Sequence, residues 1–447
     1  MKLSFKERFG YSAGYFSISI FNDTISIYLL AFFTNMLGIS PMVAGTIFLI
    51  ARVWDAVNDP IMGTMADRTR SKWGSYRPFI LYGALPLCVF FVLCFSAPNL
   101  SMGAKVAWAL VVYIGQGMLG TLVGMPYGAL PNTMTTDMKE RSVLGVGRSM
   151  GSAISGLVIS IFAMRIVNWV GHGETTTGGY QVMAIVFAVL AFIGFMLCFA
   201  CVKERVPASA KKINIKEGFL SLKGNKPAYS IFVITFLFIM AISFRMSFNV
   251  YYFLYVVNDM DLMSIIMLVI YGVQLLTLFL VPKMVIRLGK RNMMMVGACM
   301  TILSGVFFLI ARDNTALLFI AAIFCGLCMS FSISVIWGTL ADVADYGEWK
   351  TGIRAPAFLY TIASFFLKCG GALASWLSGV ILTIVGFNAA EFMQTEATVN
   401  GLYWANGLYP VVLGVAAIIA ILTYRLTDNR LKEIIGELRE RRAKAAK

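Results

Sequence analysis

Long apolar stretches fill most of this chain, and short polar connections separate them. Each stretch is long enough to cross the hydrocarbon core of a bilayer as a helix. Only 13% of the 447 residues are charged, about half the share found in average soluble domains. The sequence therefore predicts an all-α membrane protein with twelve transmembrane helices. The predicted spans are residues 11–36, 42–66, 78–97, 104–134, 143–168, 180–202, 229–257, 262–286, 292–312, 315–343, 356–385 and 402–425.

The placement of Lys and Arg predicts which side of the membrane each connection occupies. Basic residues crowd into alternate connections such as 68–77, 203–226 and 283–291, whereas 34–42 and 170–180 contain none. By the positive-inside rule, the basic connections and both termini are cytoplasmic, in a multi-pass protein of the cell membrane. Topology accounts for the net charge of +15, and no nucleic-acid partner is expected.

One long polar connection divides six predicted spans from six. We predict an N-terminal six-helix half at residues 1–202, a central cytoplasmic loop at 203–228 and a C-terminal six-helix half at 229–425. Residues 426–447 are basic and amphipathic, which predicts a tail helix against the cytoplasmic face or the membrane surface. We expect the protein to function as a monomer.

The second predicted span carries a dense group of ionisable side chains. Arg52, Asp55 and Asp59 share one helix face, and Asn58 lies beside them. Each carboxylate costs about 2.5–3.5 kcal/mol at the bilayer centre, so the pair predicts a bound cation. Oxygen ligands of this kind suit a hard cation such as Na⁺, which would be held by Asp55 and Asp59. Alternatively, Arg52 neutralises Asp55 while Asp59 is protonated, which is compatible with proton coupling.

Other polar and charged side chains also fall inside predicted spans. Asn22 and Asp23 lie in the first span, and Arg148, Arg245 and Lys368 lie in the fifth, seventh and eleventh. Charges this deep mark cavities and substrate paths, so these five residues are candidate substrate ligands. An ion pair between Asp23 and Arg245 is the alternative. The excess of basic groups predicts an acidic substrate, or one whose hydroxyl groups accept hydrogen bonds from cations.

Two charged connections predict salt bridges that open and close during transport. The connection after the second span contains Gly-x-x-x-Asp-Arg-x-Arg, which resembles the loop signature of major facilitator transporters. The connection after the tenth span carries three acids and two basic residues, although an ordinary solvated loop is the alternative. The candidate gating residues are Asp67, Arg68, Asp342, Asp345, Glu348 and Arg354.

The cysteines and the only histidine suggest no chemistry. Cys198 and Cys201, like Cys325 and Cys328, have metal-like spacing but lie in apolar spans without a histidine partner, so we interpret them as packing residues. His172 falls in an external connection. The sequence shows no catalytic triad or nucleotide-binding loop, so we expect no enzymatic activity and no cofactor apart from a coupling ion, Na⁺ or H⁺.

Three motifs together resemble the glycoside–pentoside–hexuronide:cation symporters, a family of major facilitator transporters. The likeness extends from Gly10 to about Lys432. It implies two six-helix halves and symport of a sugar or glycoside with a monovalent cation. The motifs are Arg52-x-x-Asp55-Ala-x-Asn58-Asp59-Pro60-x-x-Gly63, Arg70-Ser-x-Trp-Gly74 and Asp345-Tyr-Gly-Glu348-Trp-Lys-Thr-Gly-x-Arg354.

The resemblance assigns roles to individual positions. It implies cation binding by Asp55, Asn58, Asp59 and Thr121, and it places Arg148 and Lys368 in the sugar and coupling region.

Two departures bear on the substrate. Gly124 stands where the melibiose permease, a member of that family, has a sugar-binding aspartate, and Asp23 is only a displaced counterpart of its first-span aspartate. We therefore expect a uronide or another acidic glycoside. The alternative is a cation-coupled lipid or lysolipid flippase of the same fold.

Overall fold

The computed structural model describes residues 3–69, 71–135, 137–205, 215–353, 356–389, 391 and 393–445. In these residues all regular secondary structure is helical, apart from one isolated bridge between Ser71 and Gly74. The helices are α1 (Phe5–Thr24), α2 (Pro41–Arg68), α3 (Arg77–Cys94), α4 (Met102–Met134), α5 (Met138–Val170), α6 (Thr177–Cys201), α7 (Ile215–Leu222), α8 (Lys226–Tyr252), α9 (Met260–Leu278), α10 (Val281–Leu288), α11 (Lys290–Ala311), α12 (Thr315–Thr351), α13 (Pro356–Ile384), α14 (Glu396–Thr423) and α15 (Asp428–Ala445).

Apart from the polar tail helix α15, twelve of the described helices have the length of a membrane span, which agrees with the predicted fold class. Ten are also apolar enough to be assigned as spans by composition alone. The other two are α1 and α2, whose hydropathy is lowered by the polar residues singled out in the sequence. Two π-helical segments, Ile25–Leu29 and Phe32–Met36, continue α1 to full length, and Phe253–Val257 continues α8.

The predicted eighth span is interrupted. The sequence predicts one helix over 262–286, but the structure ends α9 at Leu278 and starts the short helix α10 at Val281. Pro282 lies in the first turn of α10. Proline has no backbone N–H and fits best at the start of a helix, so a new helix begins there instead of the old one continuing.

The connection after the tenth span is shorter than predicted. The sequence predicts a span ending at residue 343 and a loop beyond it, but α12 continues as helix to Thr351. Asp345 and Glu348 therefore lie on the last turns of a helix. Gly352 ends α12 in the left-handed conformation, with φ of 73°, which glycine adopts at no steric cost.

The first compact unit combines segments from both halves of the sequence. It contains Met1–Ser209, Met246–Tyr271 and Ser375–Tyr403. Within it, the buried hydroxyl groups of Thr34 and Tyr251 are 2.7 Å apart. The predicted division into two six-helix halves stays a prediction.

The second compact unit contains Ala210–Arg245, Gly272–Ala374 and Trp404–Lys447. The tail helix α15 belongs to this unit and packs on α12. Ile434 and Leu438 of α15 are buried in the core of the unit, and the Trp349 indole N–H of α12 donates to Glu437 at 2.7 Å. The apolar stripe of the tail helix is thus covered by protein.

A carboxylate from the end of α6 caps the start of α3. Glu204 accepts hydrogen bonds from the backbone N–H groups of Ser75, Tyr76 and Arg77 at 3.0, 2.8 and 3.0 Å. The first N–H groups of a helix have no partner within the helix, and an anion there is favourable. Glu204 therefore fixes α3 to α6.

We predict that Glu204→Ala lowers the free energy of unfolding of the first unit by about 1–3 kcal/mol, because it leaves three backbone donors without this acceptor. The melting temperature of the detergent-solubilised protein measures the effect. Lys203→Ala is the control, since Lys203 is adjacent and exposed. Equal melting temperatures for both variants would contradict the capping role.

Candidate functional site

The ionisable side chains of α2 face α4, and the two helices run parallel where they meet. Thr121 Oγ1 on α4 donates to Asp59 Oδ1 at 2.9 Å. One turn earlier, Arg52 Nη1 donates to Asp55 Oδ2 at 2.9 Å, and Arg52 Nη2 donates to the Tyr113 hydroxyl at 3.4 Å. The sequence-predicted cation ligands on α2 and α4 are thus brought together. We call this group the α2–α4 cluster.

Gly117 makes room for the carboxylate between these two contacts. A Cβ built at Gly117 would lie only 2.9 Å from Asp55 Oδ1. Tyr113, Gly117 and Thr121 are spaced four residues apart, so they share the α4 face that meets α2. Only the threonine was singled out from the sequence. The four-residue spacing from Thr121 is the signal that could have found the other two.

Asn58 adds a buried amide to the cluster. Asn58 is 4% exposed and Asp55 is 3% exposed. Among the described residues, the Asn58 Nδ2 atom is buried without a hydrogen-bond partner. A buried amide without a partner costs roughly 1–3 kcal/mol, so this side chain is suited to a ligand that the protein itself does not supply. Turning the amide by 180° would present its oxygen instead of its nitrogen.

The charges of the cluster favour a monovalent cation. Arg52 contributes +1, and Asp55 and Asp59 contribute −1 each, so these three ionised side chains sum to −1. The ion pair between Arg52 and Asp55 is the first half of the alternative predicted from sequence. Among the described residues, no group of three or more His, Cys, Asp or Glu side chains is placed to hold a metal ion. Two carboxylates with neutral oxygens suit Na⁺ or a proton better than a divalent metal.

The predicted substrate residues of the first unit lie along the contact between α1 and α5. Asp23 is half-buried and its Oδ2 accepts from Ser155 Oγ at 3.5 Å, while Asn22 is exposed. Arg148 is half-buried on the same face of α5 as Ser155. Arg148 and Ser155 are seven positions apart, so they lie about 10 Å apart along α5. We call Asp23, Ser155 and Arg148 the α1–α5 seam.

Three tyrosines surround the basic end of the seam. The Arg148 guanidinium lies 4.4 Å from the centre of the Tyr15 ring, and Arg148 Nη2 is 3.4 Å from the Tyr15 hydroxyl. Tyr127 stacks on Tyr11 at 4.7 Å and donates to the Tyr11 carbonyl at 2.6 Å. Sequence reasoning missed these rings. Tyr15 precedes Asn22 by seven residues, and that helical spacing was the available signal.

Two basic candidates belong to the second unit, where their surroundings differ. Lys368 on α13 is half-buried. Arg245 on α8 is only 2% exposed, and its guanidinium lies 4.0 Å from the centre of the Phe308 ring. Arg245 thus packs on an aromatic ring inside the second unit, and its predicted role as a substrate ligand stays a prediction.

The gating candidates fall into two groups. On α12, Asp342 Oδ2 pairs with Lys290 Nζ of α11 at 2.5 Å, while Asp345 and Glu348 are half-buried. This pair fixes α11 to α12 within the second unit. Arg354 and the side chains of Asp67 and Arg68 lie outside the part of the chain that the structure describes.

Comparison with known proteins identifies the family. The MFS/sugar transport protein family matches residues 10–428. The isoprimeverose transporter of Lactiplantibacillus pentosus is 34% identical, over 98% of this chain and 92% of that protein. The glucuronide carrier protein homolog of Escherichia coli (strain K12) is 30% identical, over 99% of this chain and 97% of that protein. A crystal structure of a D-xylose-proton symporter, 17% identical, has a TM-score of 0.67 and covers 95% of this chain and 98% of its own.

The chain therefore belongs to the MFS/sugar transport protein family. It is a multi-pass membrane transporter with the major facilitator fold, and it is not an enzyme. The resemblance to the glycoside–pentoside–hexuronide:cation symporters is confirmed at the level of the family.

We predict that Gly117→Ala destabilises the protein although alanine is the better helix former. The new methyl group would displace the Asp55 carboxylate and weaken its ion pair with Arg52. Gly120→Ala is the matched control, because a Cβ at Gly120 meets nothing within 4 Å and alanine should there stabilise the helix by up to about 1 kcal/mol. Melting temperatures that change in opposite directions are expected, and a rise in both variants would contradict the proposed contact.

Proposed function

We propose that this transporter is a symporter that couples the inward movement of a sugar or glycoside to a monovalent cation, Na⁺ or H⁺. The observation that carries the proposal is the α2–α4 cluster. Its ionised side chains sum to −1, it is buried in the first unit, and two helices supply its oxygens. One bound cation or proton would neutralise it. We further propose that the protein works as a monomer, with both termini in the cytoplasm.

The substrate is proposed to be an acidic glycoside such as a uronide. The support comes from Arg148 and Lys368, which are half-buried basic side chains within membrane-spanning helices. Arg148 can form paired hydrogen bonds with a carboxylate, and Tyr15 beside it offers an aromatic face to a sugar ring. One relative is named as a glucuronide carrier protein homolog, which agrees with this choice. A neutral glycoside, as carried by the relative named isoprimeverose transporter, is the competing choice.

Coupling is proposed to arise because α1, α2, α4 and α5 belong to one compact unit. A cation that draws the oxygens of α2 and α4 together would also order α1 and α5, which carry the polar seam. Substrate and cation would then each raise the affinity for the other by the same factor.

A thermal-shift screen identifies the substrate. The detergent-solubilised protein is melted with glucuronides, neutral glucosides, D-xylose or lysolipids, with and without Na⁺, at two pH values. We expect a uronide to raise the melting temperature most. Coupling to Na⁺ predicts a larger shift when Na⁺ is present, whereas coupling to H⁺ predicts a larger shift at the lower pH. A response to lysolipids alone would instead support the flippase.

We predict that Asp59→Asn abolishes concentrative uptake but spares substrate exchange. Asparagine keeps an oxygen for the Thr121 hydroxyl and removes the charge that the cation must neutralise. In membrane vesicles, gradient-driven accumulation of the selected glycoside should fall at least tenfold, whereas equilibrium exchange should change only a few-fold. Glu174→Gln, in an exposed connection, is the control. Undiminished accumulation in the Asp59 variant would contradict the proposal.

We predict that Arg148→Gln weakens binding of an acidic glycoside about tenfold to a hundredfold, because a hydrogen bond to a charged group contributes roughly 1.5–3 kcal/mol. Binding of the matching neutral glycoside should change much less. Arg165→Gln is the control, since Arg165 lies on the same helix with an exposed side chain. An equal loss for the acidic and the neutral ligand would show that Arg148 does not recognise the acid.

A further inference from the structure

The short helix α10 lies between two membrane spans. α9 ends at Leu278, α10 covers Val281–Leu288, and α11 starts at Lys290. α9 and α11 are both long and apolar enough to cross the membrane. The helix that joins them, with only one or two residues on either side, would then lie at the level of the lipid headgroups. The basic residues of this connection assign it to the cytoplasmic side.

One side of α10 packs on protein. Val281 is buried, and Met284 and Val285 pack against the core of the second unit. These three residues recur at the spacing of one helix face. The contacts of α10 with α11 and α12 hold this face in place, so the opposite face has a fixed orientation.

The opposite face combines exposed apolar and basic side chains. Ile286 is 85% exposed, and Phe279 and Leu280, just before the helix, are 59% and 49% exposed. Lys283 and Arg287 are exposed as well. We call these five residues the α10 surface. Apolar side chains next to basic ones are typical of helices that lie in a membrane interface.

The two basic residues of this surface have no acidic partner in the part of the chain that the structure describes. The sequence contains no acid between Asp261 and Asp313. The neighbouring helix α12 carries Asp342, Asp345 and Glu348. Asp342 pairs with Lys290, and among the described residues no salt bridge joins these acids to Lys283 or Arg287. The positive charge of Lys283 and Arg287 is therefore available to a ligand from outside the protein.

We propose that the α10 surface binds an anionic phospholipid of the cytoplasmic leaflet. The phosphate of the headgroup would lie between Lys283 and Arg287, and the upper acyl chain would pack on Ile286 and Phe279. The charges are complementary, and the position at the end of α9 brings the apolar residues to the depth where acyl chains begin. This lipid site is separate from the transport site and does not depend on which substrate is carried.

The test is hydrogen–deuterium exchange of residues 279–291 in the full-length protein, reconstituted in nanodiscs. Discs of phosphatidylcholine are compared with discs that contain increasing fractions of phosphatidylglycerol. We expect phosphatidylglycerol to slow exchange in this segment and 0.5 M NaCl to reverse the effect through screening. Equal exchange in both lipids would overturn the proposal.

Substitutions test whether the α10 surface is responsible for the slower exchange in phosphatidylglycerol. Each basic residue near an anionic membrane contributes roughly 1 kcal/mol, so Lys283→Gln/Arg287→Gln should raise the phosphatidylglycerol fraction needed for half-maximal protection by about tenfold to thirtyfold. Lys203→Gln/Lys432→Gln removes two other exposed charges and should change nothing. Ile286→Ser should weaken protection while keeping the charge. Wild-type protection in the first double variant would overturn the proposal.

Two further measurements distinguish a bound lipid from other possible occupants of the α10 surface. Soluble glycerol phosphate should not protect the segment, because it has no acyl chain to cover Ile286; protection by it would overturn a lipid site in favour of a site for free phosphate. Protection in lipid-free detergent that increases with protein concentration would assign the surface to a second copy of the chain and would likewise overturn the proposal.

Discussion

The contact between α2 and α4 is the constraint on which the proposed cation site depends. Two carboxylates one turn apart on α2 are unfavourable inside a membrane unless positive charge or hydrogen-bond donors surround them. α4 meets this need with residues spaced by one turn: a tyrosine beside Arg52, a glycine that admits Asp55 and a threonine that donates to Asp59. In the proposed symport mechanism, the negative charge that remains would attract the cation.

The contact between α2 and α4 also contributes to the packing of the first unit. Gly117 lets the Asp55 carboxylate lie against α4, and this contact belongs to the unit that also holds the α1–α5 seam with Asp23 and Arg148. A change of charge in the cluster would therefore alter the packing around the seam. In the proposed mechanism, this arrangement would couple the ion to the substrate without direct contact between them, because both would act on one set of helices.

The sequence predicted most helices because apolar length is a local property. It also predicted the charged face of α2, from the spacing of its residues, and Thr121, from the resemblance to a family. It could not predict that α12 continues past Asp345, because a charged helix end and a charged loop have the same composition. It also missed Gly117 and Tyr15, whose roles depend on which turn of one helix meets which turn of another. That inter-helix register is fixed by packing, which no single stretch of sequence records.

Calorimetric titration of the purified transporter with Na⁺, and in parallel with the glycoside selected by thermal shift, tests the central claim most directly. Each ligand is titrated with and without a saturating amount of the other, and the pair is repeated across pH to cover proton coupling. If the α2–α4 cluster binds the coupling ion, glycoside raises the affinity for the cation, and the cation raises the affinity for glycoside by the same factor. Cation and glycoside affinities that are each independent of the other ligand would contradict coupled binding.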